Sequence, residues 1–411
     1  MSDCDRHGLV GGEMIRQWRG HLVVAVSILA GAQFVIVVDE TTMGLVAPAV
    51  ARDLDLGSSA RQVLVTPFAA AFLCGLPVAG LLLRSVAPSR ILAPAAVLFA
   101  ASASLGGSVR TLVELTITRA AQGFSAAVLS TAVLATLHAL TRTDTRRIHA
   151  FAAFSLLSGA GALTALLVVG PITDISWRWC FWGIGGAAAF CALWWATFAH
   201  TGLAIADDVG NPVPPASIDS TTVATLTSAV ATNAVLAATV ITASFTLQID
   251  RGWSAAMTGM GFLPLNVAAA IGMLTVARSS ERASIGAPPI AGAMALAVGG
   301  VAMTWWTAMG GPTPALLLAT IPVGLGVGVV FPLMNSRSMD TAGTLSMGRA
   351  AQLGASAQVG LALGAIAAAA HSAAALAGLT AVSAIAVVVD TEIRRRTLSA
   401  DARPPVSPPV E

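Results

Sequence analysis

Apolar residues run along this chain in blocks of twenty or so, and short polar breaks separate the blocks. A bilayer core of about 30 Å is crossed by roughly 20 apolar residues in a helix. By that measure the pattern predicts spans at 21–50, 62–83, 91–109, 111–138, 148–172 and 178–199, then at 222–247, 254–277, 286–307, 313–335, 350–370 and 372–389. Only His371 and Ser372 mark the break between the last two. "GLAIADDVGNPVPPASIDSTT" holds three Pro and three Asp and reads as a linker between two sets of six. The predicted fold is an all-α polytopic membrane protein, with twelve transmembrane helices in two six-helix bundles. Its parts are an N-terminal segment 1–20, a bundle 21–199, a linker 200–221, a bundle 222–389 and a tail 390–411.

Composition agrees with the pattern. Of 411 residues, 56% are hydrophobic and only 10% charged, with mean hydropathy +0.80, whereas soluble domains carry about a quarter charged residues. All 22 basic residues are Arg. With the N-terminus inside, sixteen of them fall in cytoplasmic segments and five (Arg52, Arg61, Arg110, Arg178, Arg251) outside, while Arg119 lies within a span. The positive-inside rule then places both termini and the linker in the cytoplasm of a multi-pass cell-membrane protein. Trp18, Trp177, Trp179, Trp253, Trp305 and Trp306 stand at predicted helix ends, as interfacial rings do; Trp182, Trp194 and Trp195 lie deeper. The N-terminus shows no small-residue cleavage site, so the first apolar run is expected to remain as span 1. Four scattered Cys and six scattered His show no metal-ligand spacing. No catalytic constellation appears, so an enzyme is not expected, nor is a metal or a cofactor.

Five stretches carry more specific information. "VVDETTMGLVAP" (37–48) sets Asp39 and Glu40 inside an apolar run, and span 4 reads "LVELTITRAAQGFSAAVL". Span 5 leads into "VVGPITDISWRWCF", and the second half holds "TLQIDRGWSAAMTGMGFLP" and "GRAAQLGASAQVGLALGAIA". Together these resemble the drug:proton antiporters of the major facilitator superfamily. Asp39, Thr41 and Pro48 match the span-1 signature D-x-T-I-V-N-V-A-L-P. Arg119, Gln122, Gly123 and Ala126 match R-x-x-Q-G-x-g-a-A. Gly170, Pro171, Trp177, Arg178, Trp179 and Phe181 match G-P-x-x-G-G…S-W-R-W-x-F. The later segments resemble the branch that usually has fourteen spans, so two central spans are missing here. The loop between spans 2 and 3 should read G-x-L-a-D-R-x-G-R but is "GLLLRSVAPSR": Gly80 and Leu82 are kept, Arg84 stands at the Asp position, and Arg90 is displaced by two places. Asp174 and Ile175 replace the Gly pair after Pro171. The resemblance implies gating or hinge roles for Gly80, Arg84, Arg90, Gly170 and Pro171.

An ionised carboxylate at the bilayer centre is costly, so a functional reading of the two acids is the default. Asp39 lies roughly 27 Å along span 1 from His21 and Arg119 about 12 Å from the outer end of span 4. Those depths agree within about two turns, and an Asp39–Arg119 pair facing one cavity is the expectation; the alternative is an interfacial acid with no role. Adjacent helical residues point about 100° apart, so Glu40 faces elsewhere, toward Gln33 seven residues earlier. Burial favours the protonated carboxyl and a neighbouring guanidinium the carboxylate, and a site between those influences can exchange a proton. Asp39 is the first candidate for proton or cation coupling with Arg119, and Glu40 is the second, sharing or replacing it.

Thr225, Thr232, Thr239 and Thr246 recur every seven residues on span 7, beside Asn233. Gln33, Gln122, Thr232, Asn233 and Thr239 are candidates for a substrate path, against the alternative that small hydroxyls serve helix packing. Gly324, Gly326 and Gly328 open no βαβ unit, and with the Gly360–Gly364 pair they read as close packing. Arg394, Arg395 and Arg396 point to anionic lipid heads rather than nucleic acid. The reading is a secondary transporter, expected as a monomer, that couples proton entry to efflux of a lipophilic or cationic small molecule. Its alternatives are a metabolite importer or facilitator of the same fold and a non-transporting sensor or decayed transporter.

Overall fold

Apolar runs in a bilayer have no water to satisfy their backbone, so each must close its hydrogen bonds internally. In the computed structural model they do so as helices; it describes residues 3–56, 64–140, 160–162, 164–199, 219–278, 287–339, 345–370 and 373–401. In order come α1 (Asp3–Asp53), α2 (Thr66–Ser85), α3 (Pro88–Gly106), α4 (Leu112–Leu140), α5 (Gly170–Ile175) and α6 (Trp177–Ala199). They are followed by α7 (Ser220–Phe245), α8 (Ala255–Gly261), α9 (Leu263–Arg278), α10 (Ala287–Met309), α11 (Thr313–Met339), α12 (Leu345–Ala369) and α13 (Ala373–Asp401). Among the described residues, eleven stretches are long and apolar enough to cross a membrane, with α8 and α9 forming one of them; a twelfth, Ala160–Ile175, is shorter. It holds the end of the predicted fifth span, whose residues 148–159 lie outside the described residues, as does the linker up to Ile218.

Local chemistry sets the helix ends. Thr111 Oγ1 accepts the Glu114 N–H (3.2 Å) while Glu114 Oε2 accepts that of Arg110 (2.7 Å), so the first turn of α4 is capped reciprocally. Asp219 caps α7 through the Thr222 N–H, and Ser254 caps α8 through that of Met257. After α10, Gly310 takes φ +65° and its N–H closes on Trp306 O, a left-handed stop that costs glycine little. Two boundaries differ from the sequence reading. α7 starts at Ser220, inside the stretch read as linker, and α13 runs on past Val389 to Asp401, so the first part of the tail is helix.

Among the described residues, π-helical segments interrupt the α pattern twice. Ala165–Val169 precedes Gly170 and Pro171, and Thr246–Asp250 follows α7. Such one-turn bulges re-aim the side chains around them. In the second, the buried Gln248 Nε2 donates to Leu45 O at 2.9 Å.

The chain divides into two compact units. One comprises Met1–Met43 with Ala71–Pro212, the other Gly44–Ala70 with Val213–Glu411, so the division falls inside α1. Within the first, α3 packs on α4 and α6. Arg178, at the start of α6, donates to the carbonyls of Gly107 (3.2 Å) and Val109 (2.7 Å). That holds the connection from α3 to α4. Trp195 Nε1 reaches Ser89 O at 2.8 Å, so this ring is tied inside the unit rather than standing at an interface.

In the second unit α7 packs on α12 and α13, and α11 on α9 and α10. Val235, Ala293, Leu296, Val323, Val327, Val330, Met334 and Val387 form its core. A Cβ on Gly360 would meet Val230 O and the Asn233 Cβ, and one on Gly364 would meet Ala234 O and the Ala237 Cβ. Gly324 and Gly328 stand equally close to the backbone of α9. These glycines act as packing residues. Opposite faces present large apolar side chains outward, among them Val97, Phe190, Leu193, Met294, Val298 and Ile385, as lipid contact requires.

Candidate functional site

The site begins with a charge that the sequence places where water is absent. Asp39 lies within α1 and its exposure is 0%. Arg119 lies on α4 and is the largest fully buried side chain among the described residues. Arg119 Nη1 stands 3.0 Å from Asp39 Oδ2 and 3.3 Å from Oδ1. One helical turn on, where i and i+3 share a face, Gln122 completes the set. Its Nε2 donates to Asp39 Oδ1 at 2.8 Å and its Oε1 accepts from Arg119 Nη1 at 2.6 Å. Each of the three groups therefore touches the other two. All belong to the first unit.

The arrangement answers a desolvation problem. A buried carboxylate or guanidinium alone costs several kcal/mol, and removing one member of a buried pair typically costs about 3–5 kcal/mol. Gln122 adds what the ion pair lacks, a neutral group that donates to the acid and accepts from the base. Thr41 turns its hydroxyl back on Val37 O at 2.8 Å and takes no part.

Other residues singled out from the sequence fall elsewhere. Gln122, read as lining a substrate path, is fully buried and sits on the Asp39 carboxylate. Glu40 is half-buried at the next position of α1, and Gln33 is half-buried with its Oε1 unbonded among the described residues. Thr232, Asn233 and Thr239 are all buried in the second unit. There the Asn233 side chain is spent on Ala229 O at 2.9 Å, while the Thr232 hydroxyl finds no partner among the described residues. Gly80 is exposed with open space around it, and Arg84 and Arg90 are exposed at the end of α2 and in the first turn of α3. Gly170 is buried directly after the first π segment and Pro171 is exposed. Among the described residues no group of His, Cys, Asp and Glu could hold a metal.

The sequence reading missed a second buried acid. Asp390, on α13, has 0% exposure and joins Arg394 and Thr225. Arg394 was read as meeting lipid heads but turns inward. Arg395 and Arg396 stay exposed and both pair with Glu392. The available signal was the i, i+4 spacing of Asp390 and Arg394 directly after an apolar run.

Long apolar helices with an acid–guanidinium–amide set buried among them describe a multi-pass membrane protein. Among solved structures, the chain is similar to a bacterial homologue of the human lysosomal transporter Spinster, in an inward-facing and unoccupied conformation. That match has TM-score 0.70 at 14% identity and covers 95% of this chain and 99% of that one. The peptide transporter POT in complex with sulfate gives TM-score 0.68 at 14% identity over 90% and 94%. These likenesses speak for the fold alone. Residues 29–378 match the Major Facilitator Superfamily, and the chain belongs to that superfamily. Similar relatives include the puromycin resistance protein pur8 of Streptomyces alboniger, 32% identical over 179 residues, which are 43% of this chain and 34% of that protein. The uncharacterized MFS-type transporter EfpA of Mycobacterium tuberculosis (strain ATCC 25618 / H37Rv) is 26% identical over 159 residues, 39% of this chain and 30% of EfpA. The matches span about a third of the length of these curated relatives.

Proposed function

We propose that this transporter exports a lipophilic or cationic small molecule in exchange for protons. The observation that carries the reading is the fully buried Asp39 carboxylate held by Arg119 and Gln122. A carboxylate so placed has one chemical capacity that its neighbours lack, since a guanidinium in a protein keeps its proton and an amide exchanges none at ordinary pH. Asp39 takes up the proton, and Arg119 then keeps its hydrogen bond to Gln122 Oε1 and stays in place. Loss of the proton restores the ion pair. Coupling follows when Asp39 is opened to one side of the membrane for uptake and to the other for release. Glu40, half-buried on the next position of α1, is the alternative acid. Thr232, Asn233 and Thr239 are the proposed polar path in the second unit, and Gly80, Arg84, Arg90, Gly170 and Pro171 the proposed gating positions. The resistance named in pur8 supports export as the direction, with an aminonucleoside such as puromycin as one substrate to try.

Cells expressing the protein, loaded with ethidium or with puromycin, are expected to accumulate at least threefold less of a transported probe than cells without it. A protonophore should abolish the difference. Efflux that persists unchanged after the proton gradient is collapsed rules out proton antiport.

A further inference from the structure

The second buried acid belongs to no part of the transport scheme above. Asp390 and Arg394 lie one turn apart on α13, with Arg394 Nε 3.5 Å from Asp390 Oδ1. Both reach across to one residue of α7. The Thr225 hydroxyl oxygen stands 2.9 Å from Asp390 Oδ1 and 2.9 Å from Thr221 O, either of which its one hydrogen can serve, and it accepts from Arg394 Nη2 at 2.9 Å. A hydroxyl has one hydrogen and two lone pairs, so Thr225 is used in both senses. Asp390 is wholly buried, Thr225 and Thr391 nearly so, and Arg394 is 21% exposed.

Holding two helices together does not require charge. Well-packed apolar residues do it at no desolvation cost, and replacing a buried ion pair by them is often neutral or stabilising. What a buried polar contact adds best is registry: it is satisfied at one axial height and penalised at others. Among the described residues no other α7 side chain is seen hydrogen-bonded to a neighbouring helix. Seven of the eighteen buried positions of α7 are Ala; among its buried polar side chains, Asn233 bonds its own Ala229 O, and the hydroxyls of Ser228, Thr232, Thr242 and Ser244 find no partner among the described residues. α7 meets α12 through Gly360 and Gly364 against its own backbone. Small residues permit close approach, but similar alanines one turn apart leave the height of α7 weakly specified. Asp219 fixes where α7 begins and not how high it stands.

We infer that Asp390, Arg394 and Thr225 form a register pin, positioning residues that set the height and rotation of α7 against α13. Thr232 and Thr239 follow Thr225 at intervals of seven residues, about 10 Å each along the helix, so the pin also sets the level at which their hydroxyls stand. That last step rests on the proposed transport path; the pin itself does not.

The test uses purified full-length protein with its four native cysteines replaced and nitroxide labels at Val223→Cys on α7 and Ile385→Cys on α13. Both side chains are exposed. The parent should give one narrow interspin distance. Asp390→Asn keeps an acceptor for Thr225 and should keep that distance. The double variant Asp390→Leu, Arg394→Leu removes both charges, so it should fold, yet its distance should broaden or shift by a few ångströms, up to about one 5.4 Å turn. A double variant with the parental distribution overturns the pin. In the transport arm, the double variant should raise the half-saturating concentration for ethidium efflux at least threefold at equal protein amount. A shifted distance with unchanged efflux kinetics overturns the positioning role in transport. A parent that moves neither ethidium nor puromycin counts against the export reading, and the distance measurement still decides the pin.

Discussion

Neutralising Asp39 without changing its volume separates its charge from its shape. Asp39→Asn should reach the membrane in parental amounts and lose proton-driven efflux at least tenfold, while substrate exchange without a gradient persists. Arg119→Ala should lower the amount of folded protein as well, because it strands a buried carboxylate at a typical cost of about 3–5 kcal/mol. Glu40→Gln should leave efflux within twofold of the parent. A dead Glu40→Gln beside an active Asp39→Asn reverses the assignment between the two acids. Asp39 and Arg119 were legible because an ionisable side chain inside an apolar run is rare and costly. The place of Gln122 was not, since its bonds depend on how closely α1 approaches α4. Thr225 shows the same limit: a seven-residue period puts it in line with Thr232, yet its partner lies 165 residues away.

At the scale of elements, α12 offers a comparison within a single helix. A side chain at Gly364 has no room against Ala234 and Ala237, whereas Gly354 has nothing within 4 Å of its Cβ position. Gly364→Leu is therefore expected to lower stability by the cost of overpacking, about 1–3 kcal/mol or more. Gly354→Ala, with room for its methyl in a helix interior, should instead raise stability by up to about 1 kcal/mol. Thermal unfolding of both in one detergent checks the contrast, and equal melting temperatures would contradict the packing role given to Gly364. Helix existence was readable from hydropathy because a span must be long and apolar. Helix ends were harder to read. The helix continues through Asp390 because the charge is paired internally, and no count of apolar residues shows that. The π segments were equally hidden, as they arise from one extra residue in a turn and leave composition unchanged.

For the whole molecule, the Arg asymmetry predicts sidedness. Cysteines introduced at Ser2, Ser217 and Ser407 should react with a membrane-impermeant maleimide only after the membrane is opened, and one at Ser254 should react in intact cells. Labelling of Ser217→Cys from outside would overturn the twelve-span arrangement. Architecture at this scale was the most legible, since the order of spans follows from the bilayer, whereas a division that falls between Met43 and Gly44 inside one helix has no mark in the chain. The permanence of the Arg119 charge has its own consequence for the molecule in a polarised membrane. With Asp39 ionised the acid–guanidinium–amide set sums to zero, and with Asp39 protonated it sums to one positive charge. If the proposed exchange operates with one proton, a monovalent cation leaving against it moves no net charge and is indifferent to voltage. A neutral molecule leaving against the same proton carries one charge inward and gains about 2.3 kcal/mol per 100 mV. The same three side chains would thus run as an electroneutral or an electrogenic exchanger according to the charge of the passenger.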